Sequence, residues 1–419
     1  MNVLLIGGGG REHALAHALV RSPDLRRLFV LPGNAGTERL AVNVPGSPTD
    51  VDLALEVARR EEIDLTVVGP EAPLAAGIVD AFERAGRRIF GPTAAGARIE
   101  SDKAHAKALM TRHAIPTAEA RVFERYDLAR EYIATRDTAL VVKAAGLAAG
   151  KGVIVCDEPS DAILAADSML CDHAFGAAGE RILVEERLQG REASVLALID
   201  GRTIYMLESA QDHKRLLDGD QGPNTGGMGA FSPSTVLDEA TLRQVEANIF
   251  VPIVDAILRE GVRYRGVLYA GLMLTAGGPK VLEFNCRFGD PEAQALLLRL
   301  RSDLLSTLSL TADGRLDEAE IRWDPRASLC VVMASRGYPN EYKTGYPIRG
   351  LPDKDRDDLA VFHAGTQSRH RRLVTAGGRV LGVTALGDGL ADARRVAYEA
   401  VERIQFEGAH YRRDLAASP

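Results

Sequence analysis

Cysteine is scarce in this chain: four residues among 419, Cys156, Cys171, Cys286 and Cys330, and no two of them form a C-x-x-C pair. That spread excludes a disulfide framework and a cysteine-built metal site, and it fits a reducing compartment, so a cytoplasmic location is expected. Positive charge is not in excess either, with 51 Lys and Arg against 58 Asp and Glu and a net charge of −7. No general field then attracts nucleic acid or an acidic membrane; an anionic ligand needs a local basic site, and the expected partners are small molecules. No apolar run approaches the length of a membrane span. The opening MNVLLIGGGG lacks a basic leader and is too short in its apolar part for a signal peptide. What remains is an ordinary globular composition with room for roughly two to four domains.

Two familiar nucleotide motifs are also missing. The stretch LVVKAAGLAAGKGVIVC, residues 140–156, sets Val141-Val142 and Val153-Ile154-Val155 around Gly146, Gly150 and Gly152, with Lys143 and Lys151 between them. This reads as strand, glycine loop, strand. A P-loop needs four residues between its glycines and Ser or Thr after its lysine, whereas here three residues separate Gly146 from Gly150, and Gly152 follows Lys151. If the loop holds phosphates, it does so as a cationic flap between strands. An unliganded hairpin tip is the equal alternative from the loop alone. The second motif is the dinucleotide fingerprint. Gly7-x-Gly9 follows a strand and opens a helix, but Glu12 stands at the third glycine, and Pro32-Gly33-Asn34-Ala35-Gly36 stands where a ribose-binding acid belongs. A single phosphate at the helix N-terminus fits better than NAD, with an empty tight turn as the alternative.

Along the chain, strands at 2–6, 28–31, 65–68 and 88–90 alternate with helices from 14, at 53–60 and at 78–85, which predicts a doubly wound parallel α/β domain over residues 1–102. Its ligands belong on the loops at the strand carboxyl ends. Ser101-Asp102 caps a further helix with Lys103 in its first turn, read alone as a surface lysine. A central α+β domain over 103–318 follows, containing the glycine-loop unit at about 118–188. Its strand 182–185 leads into Glu186-Arg187-Leu188, whose backbone can face an adenine, and Glu192 can accept ribose hydroxyls; solvated surface charge is the alternative. Gln211-Asp212-His213-Lys214-Arg215 forms a compact polar cluster in which His213 reads as a general base or substrate partner. Residues 222–230 are too rich in turn formers for regular structure. Glu283 and Asn285 alternate onto one face of a strand, and two hard oxygens so placed suit Mg²⁺ held with nucleotide phosphates. Arg287, Asp290 and Glu292 follow in a loop, then a helix over 291–305. From 319 to 419 a strand at 329–333, a hairpin-like 377–386 and a helix at 391–404 predict a small α+β packing domain without catalytic groups.

Taken together, GGGGREHA, PGNAG, VGPEAPL, KAAGLAAGKGV, AQDHKR, GPNTGGMGAFSP, YAGLM and LEFNCRFGDPE, in this order from Gly7 to Glu292, resemble the phosphoribosylamine–glycine ligases, or glycinamide ribonucleotide synthetases, of the ATP-grasp superfamily. The resemblance implies ATP between the two halves of the central domain. Lys103 and Lys143 would reach its phosphates beneath Gly146, Gly150, Lys151 and Gly152. Glu185, Glu186 and Leu188 would border adenine, Glu192 the ribose, and Glu283 with Asn285 would hold Mg²⁺ or Mn²⁺. It places the phosphate of 5-phosphoribosylamine on the N-terminal loops, at Gly9, Gly10, Arg11, Asn34, Gly36 and Glu71. Lys143, Arg287, Asp212, His213 and Lys214 would serve the chemistry, with Asp290 and Glu292 holding substrates. The implied reaction joins glycine to 5-phosphoribosylamine through glycyl phosphate, giving glycinamide ribonucleotide, ADP and phosphate, in de novo purine biosynthesis. A monomer is expected, with a homodimer as the alternative. Two departures stand out: Ala145 where the family carries Asp, and no second carboxylate in Gly271-Leu272-Met273, which leaves the ligands of a second metal open. Competing readings are a ligase or carboxylase acting on another purine precursor, a nicotinamide oxidoreductase and a nucleotide sensor.

Overall fold

A computed structural model describes residues 1–148, 151–352 and 356–417. The first sheet is fully parallel. Strand Asn2–Gly7 lies at its centre, flanked by Arg27–Pro32 on one side and Leu65–Val68 on the other, with Val42–Asn43 and Ile89–Phe90 outermost. Helices cover both faces, which is why these strands read as continuous apolar runs. The chain reverses its winding at the central strand, so the loops at 7–10, 32–36 and 69–71 gather on one rim.

Two four-stranded antiparallel sheets follow. One orders Ala120–Phe123, Ile182–Glu186, Leu140–Ala144 and Val153–Cys156, with Lys143 opposite Val153. Side-chain alternation sorts its residues: Leu140, Val142 and Ala144 pack into a core with helices Tyr126–Ala134 and Pro159–Leu170, while Val141 and Lys143 point into a cleft. The other orders Ile204–Met206, Arg191–Ile199, Gly266–Thr275 and Gly278–Asn285, placing Glu283 opposite Gly271 and Asn285 opposite Tyr269. Helix Lys103–Arg112 bridges them, capped by Asp102, whose carboxylate accepts from the His105 N–H at 3.1 Å.

The last sheet corrects three expectations. Its long strands Ala327–Ser335, Arg379–Gly387 and Leu359–His363 are extended at one edge by Gly229–Ser232 and Gln211–Asp212, so the polar cluster at 211–215 joins the C-terminal layer. Residues 222–230 are irregular only in part: Gln221–Asn224 pairs with Arg215–Leu217 and Gly229–Ser232 enters the sheet, which leaves 225–228 as the connection between them. Nor is 377–386 a hairpin, since Arg379–Gly387 is a central strand and the hairpin is formed by Thr366–Arg369 with Arg372–Thr375. The helix expected at 291–305 is two, Glu292–Arg299 and Leu304–Asp313, because Asp303 caps a fresh start by accepting from Ser306 N–H at 3.2 Å. The N- and C-terminal layers meet where Asn34 Nδ2 donates to His363 O at 2.8 Å and His363 N donates to His13 Nδ1 at 2.7 Å. Among the described residues, no helix is long and apolar enough to cross a membrane.

Candidate active site

The three layers enclose a cleft of about 910 Å³. Its cations enter from two elements. Lys103 begins a helix and donates to Gly146 O at 2.9 Å; Lys143, in mid-strand, donates to Leu282 O at 3.0 Å and pairs with Glu185 at 2.8 Å. Burial pulls the Lys103 ammonium down, with Glu283 opposing it. Glu185, 3% exposed, also meets Lys107 at 3.1 Å. Burial alone would raise the Glu185 carboxyl, but Lys143 and Lys107 together hold it below the usual range.

Across from these lysines stands the strand Gly278–Asn285. Burial favours the neutral form of Glu283, yet Lys214, Lys143, Lys103 and Arg287 outweigh it and keep the carboxylate charged. Such a carboxylate ringed by cations is ready for a shared polyanion and divalent ion. Asn285 Oδ1 accepts from Arg287 Nη2 at 3.1 Å. The same guanidinium reaches Glu100 at 2.8 Å and Glu71 at 3.3 Å, which fixes it between the N-terminal domain and the strand. Among the described residues, no group of three or more His, Cys, Asp or Glu could hold a metal ion unaided. A site made of Glu283, Asn285 and phosphate oxygens fits Mg²⁺, which takes one or two protein oxygens and fills the rest with substrate and water.

The floor is acidic. Lys214 pairs with Glu192 at 3.1 Å and sits 4.0 Å from Asp212. Burial, then Glu292, Glu192 and Glu283, push the Asp212 carboxyl up against the pull of Lys214, while Lys214 itself is held charged by Asp212 and Glu192 despite its burial. Glu292 accepts from Tyr269 Oη at 2.9 Å and Ser194 Oγ at 3.3 Å. Asp290 pairs with Arg379 at 3.2 Å. Burial would raise Asp290, and Arg379 with Arg11 lowers it instead.

The structure therefore gathers Lys103, Lys143, Gly152, Glu185, Glu186, Leu188, Glu192, Arg11, Glu71, Asp212, Lys214, Glu283, Asn285, Arg287, Asp290 and Glu292 around one space. Glu186 sends its carboxylate outward to Lys280 at 3.1 Å. Gly146 joins through its backbone, accepting from Lys103 and donating to Ala178 O at 3.0 Å. Gly150 lies outside the described residues. Lys151 is exposed and absent from the cleft wall. Ala145 buries its methyl beside Ala104 and Leu183.

Three expectations need correction. His213 is not in the cleft: alternation along the strand sends Asp212 and Lys214 inward and turns His213 toward Phe231, with ring centroids 5.9 Å apart. Burial and the nearby Arg412 lower its imidazole to about 4, so it stays neutral. Asn34 and Gly36 serve the scaffold. Asn34 spends its amide on Gly8 O, Gly9 O and His363 O and its oxygen on the Gly36 and Thr37 N–H groups, and a Cβ at Gly36 would lie 2.3 Å from His13. The helix N-terminus behind the glycines is already taken. Glu12, 2% exposed, folds back to accept from Gly9 N–H at 2.6 Å and pairs with Arg11 at 2.6 Å. Gly7 and Gly69 are glycines because a Cβ there would strike Glu12, at 2.6 and 2.1 Å, and Gly7 further needs φ of +122°. Gly10 is equally confined, its Cβ position being 2.6 Å from Gln294.

Five groups escaped the sequence reading: Lys107, Glu100, Ser194, Tyr269 and Arg379. Helical spacing could have found Lys107, four residues after Lys103 and so on the same face. The others are brought in by tertiary folding. Arg379 is the plainest case, since the C-terminal domain, expected to be packing only, sends it to Gly226 O at 2.6 Å and Asp290 O at 2.7 Å in the cleft wall.

Comparison with known proteins adds the following. Residues 1–100, 101–293 and 328–418 match, in turn, the family descriptions "Phosphoribosylglycinamide synthetase" N domain, ATP-grasp (A) domain and C domain. A phosphoribosylamine–glycine ligase of Rhodopirellula baltica is 51% identical over 423 residues, covering 99% of this chain and 97% of that one. A protein of the same name from Caldanaerobacter subterraneus is 46% identical over 417 residues, covering 100% of both. The crystal structure of the Thermotoga maritima phosphoribosylamine–glycine ligase superposes with a TM-score of 0.88 at 34% identity, covering 99% of this chain and 100% of that one. A biotin carboxylase from Campylobacter jejuni shares the fold at a TM-score of 0.77 and 14% identity, covering 99% and 94%.

Proposed function

The chain belongs to the phosphoribosylglycinamide synthetase family, and from that premise we propose that its cleft joins glycine to 5-phosphoribosylamine at the expense of ATP, as a carbon–nitrogen ligase of purine biosynthesis. The observation that carries this reading is the opposition of Lys103 and Lys143 to Glu283 and Asn285 across one enclosed space. Phosphates lie between them, the adenine toward Glu186 and Leu188, and the ribose toward Glu192. Mg²⁺, or Mn²⁺ in its place, would be held by Glu283 and Asn285 together with phosphate oxygens, and would supply charge neutralisation on the transferring phosphoryl group.

In the first step a carboxylate oxygen of glycine attacks the γ-phosphorus in line; the bond to the β-phosphate oxygen breaks, leaving ADP and glycyl phosphate. Lys103 and Lys143 stabilise the equatorial oxygens from fixed positions, where preorganised charge is most effective. In the second step the amine of 5-phosphoribosylamine attacks the acyl carbon, and the carbon–oxygen bond to phosphate breaks. The nitrogen loses a proton, and Asp212, whose carboxyl is pushed up by burial and its acidic neighbours, is suited to accept it. No covalent bond to the chain is required. Arg11 and Arg379, each holding a carboxylate at the N-terminal rim, supply cations for the phosphate of the ribose. The glycine hairpin closes over the nucleotide and keeps water from glycyl phosphate.

The proposal divides the chain at 1–102, 103–318 and 319–419, supported by the separate sheets, although strands 211–212 and 229–232 cross into the last layer. It is read as a cytoplasmic monomer with a homodimer as the alternative. The test is ADP release with glycine and 5-phosphoribosylamine generated in situ. Release that requires both is expected; equal release with glycine omitted would overturn the assignment.

A further inference from the structure

Lys107 lies one helical turn beyond Lys103, 6% exposed, and its ammonium has three hydrogens to give. All three find acceptors: Thr117 Oγ1 at 2.7 Å, Ala118 O at 3.1 Å and Glu185 Oε1 at 3.1 Å. It therefore has nothing left for a ligand, although it lines the cleft. Lys143 differs. Among the described residues it spends two donors, on Glu185 Oε2 at 2.8 Å and Leu282 O at 3.0 Å, and keeps one for the cleft. Glu185 thus places one oxygen on each lysine. The trio carries a net charge of +1 only because Lys107 is there; without it, Lys143 and Glu185 would cancel, and the cleft would lose its central cation.

We propose that Lys107 is a positioning residue for the nucleotide: by neutralising Glu185 from behind, it leaves the charge and the third hydrogen of Lys143 to the phosphates. This rests on the nucleotide reading above. Thr117, which accepts from Lys107, donates to Val281 O at 2.7 Å on the strand that carries Glu283, so the same network sets the spacing of the cation and acid sides of the cleft. Burial pulls the Lys107 ammonium down, and Glu185 opposes that pull, as the pairing requires.

The test is calorimetric titration of the whole chain with Mg·ATP, without glycine, alongside steady-state KM values for ATP and glycine. Lys107→Met is expected to weaken Mg·ATP binding by about tenfold, the middle of the range for coupled charges in contact, while the KM for glycine stays within about twofold. Lys107→Arg, which keeps the charge, is expected to bind within about threefold of the wild type. Unchanged binding by Lys107→Met, or a loss shared equally by ATP and glycine as a purely structural role would give, overturns the proposal. Should Lys107→Met not fold, Thr117→Val carries the test, with about threefold weaker Mg·ATP binding at unchanged glycine KM expected and unchanged binding overturning it. Failure of the wild-type chain itself to bind Mg·ATP would sink the nucleotide reading, and this inference with it.

Discussion

Replacing Arg287 by Met should separate what holds this cleft together from what makes it work. The guanidinium touches Glu100 at 2.8 Å, Asn285 at 3.1 Å and Glu71 at 3.3 Å. Of the two acids, Glu71 is partly open to water and can be rehydrated, whereas Glu100 keeps only the Cys286 N–H at 2.8 Å and the Cys286 thiol. Removing one partner of a buried pair costs about 3–5 kcal/mol because the other charge is stranded. Burial already raises the Glu100 carboxyl, so the variant can limit the loss by taking up a proton there, and the lower end of that range is expected. Adding Glu100→Gln removes the stranded charge and should recover about half of the loss. Activity should not follow. Asn285 has lost the donor that orients it, and misplacement of such a group costs about a hundredfold in turnover. Urea unfolding of the wild type, the single and the double variant gives the first quantity, and ADP release gives the second. A single variant within about 1 kcal/mol of the wild type, or a double variant no more stable than the single, would refute the reasoning.

Other outcomes follow from the same geometry. Glu283→Gln should raise the Mg²⁺ concentration for half-maximal activity by at least about tenfold, read from activity across a Mg²⁺ series. His213→Asn should keep kcat/KM for each substrate within about threefold because the ring faces Phe231, while Asp212→Asn should lower kcat by about a hundredfold; steady-state kinetics on both checks the turn of that strand. His363, at the junction of the outer layers, is held neutral to about pH 4 by burial and by Arg39, against an ordinary 6.5. The unfolded chain binds the extra proton between those values, so its contribution is complete above pH 6.5 and is lost as pH falls toward 4. It amounts to about 2 kcal/mol between pH 7 and pH 5. Urea unfolding across that range should show the slope, and His363→Asn should reduce it by about that amount, leaving the part that His13 and His213, also lowered by burial, contribute.

Much of this was legible in the sequence, for identifiable reasons. Strand 65–68 and the capped helix at 103 obey local rules: an apolar run between turns, and an Asp whose carboxylate takes the N–H of the third helical residue. Glu283 and Asn285 could be placed together because strand period alone puts them on one face. The failures share a different cause. A period of two also sends His213 away from Asp212 and Lys214, but its polar neighbours made the whole cluster read as one site. The glycines that follow the first strand suggested room for a phosphate, and Glu12 folds back into that room, against Gly7 and the Gly9 N–H. That same residue breaks the dinucleotide fingerprint, so its burial gives the break a physical purpose. Arg379 had no local signal at all, because what brings it to Asp290 is a sheet that joins strand 229–232 to strand 327–335 and that in turn to strand 379–387, segments far apart in the chain. Ala145 is now a specific question: its methyl sits with Ala104 and Leu183, and Ala145→Asp would place a carboxylate among them.

The central claim is that the carboxylate of glycine is phosphorylated before nitrogen attacks, and isotope transfer tests it most directly. With glycine labelled in both carboxylate oxygens by ¹⁸O, the account predicts that each phosphate released with ADP carries one glycine-derived oxygen, seen by mass spectrometry or by the shift in its ³¹P resonance. The amide then retains the other. Phosphate released during full turnover without the label would contradict the account.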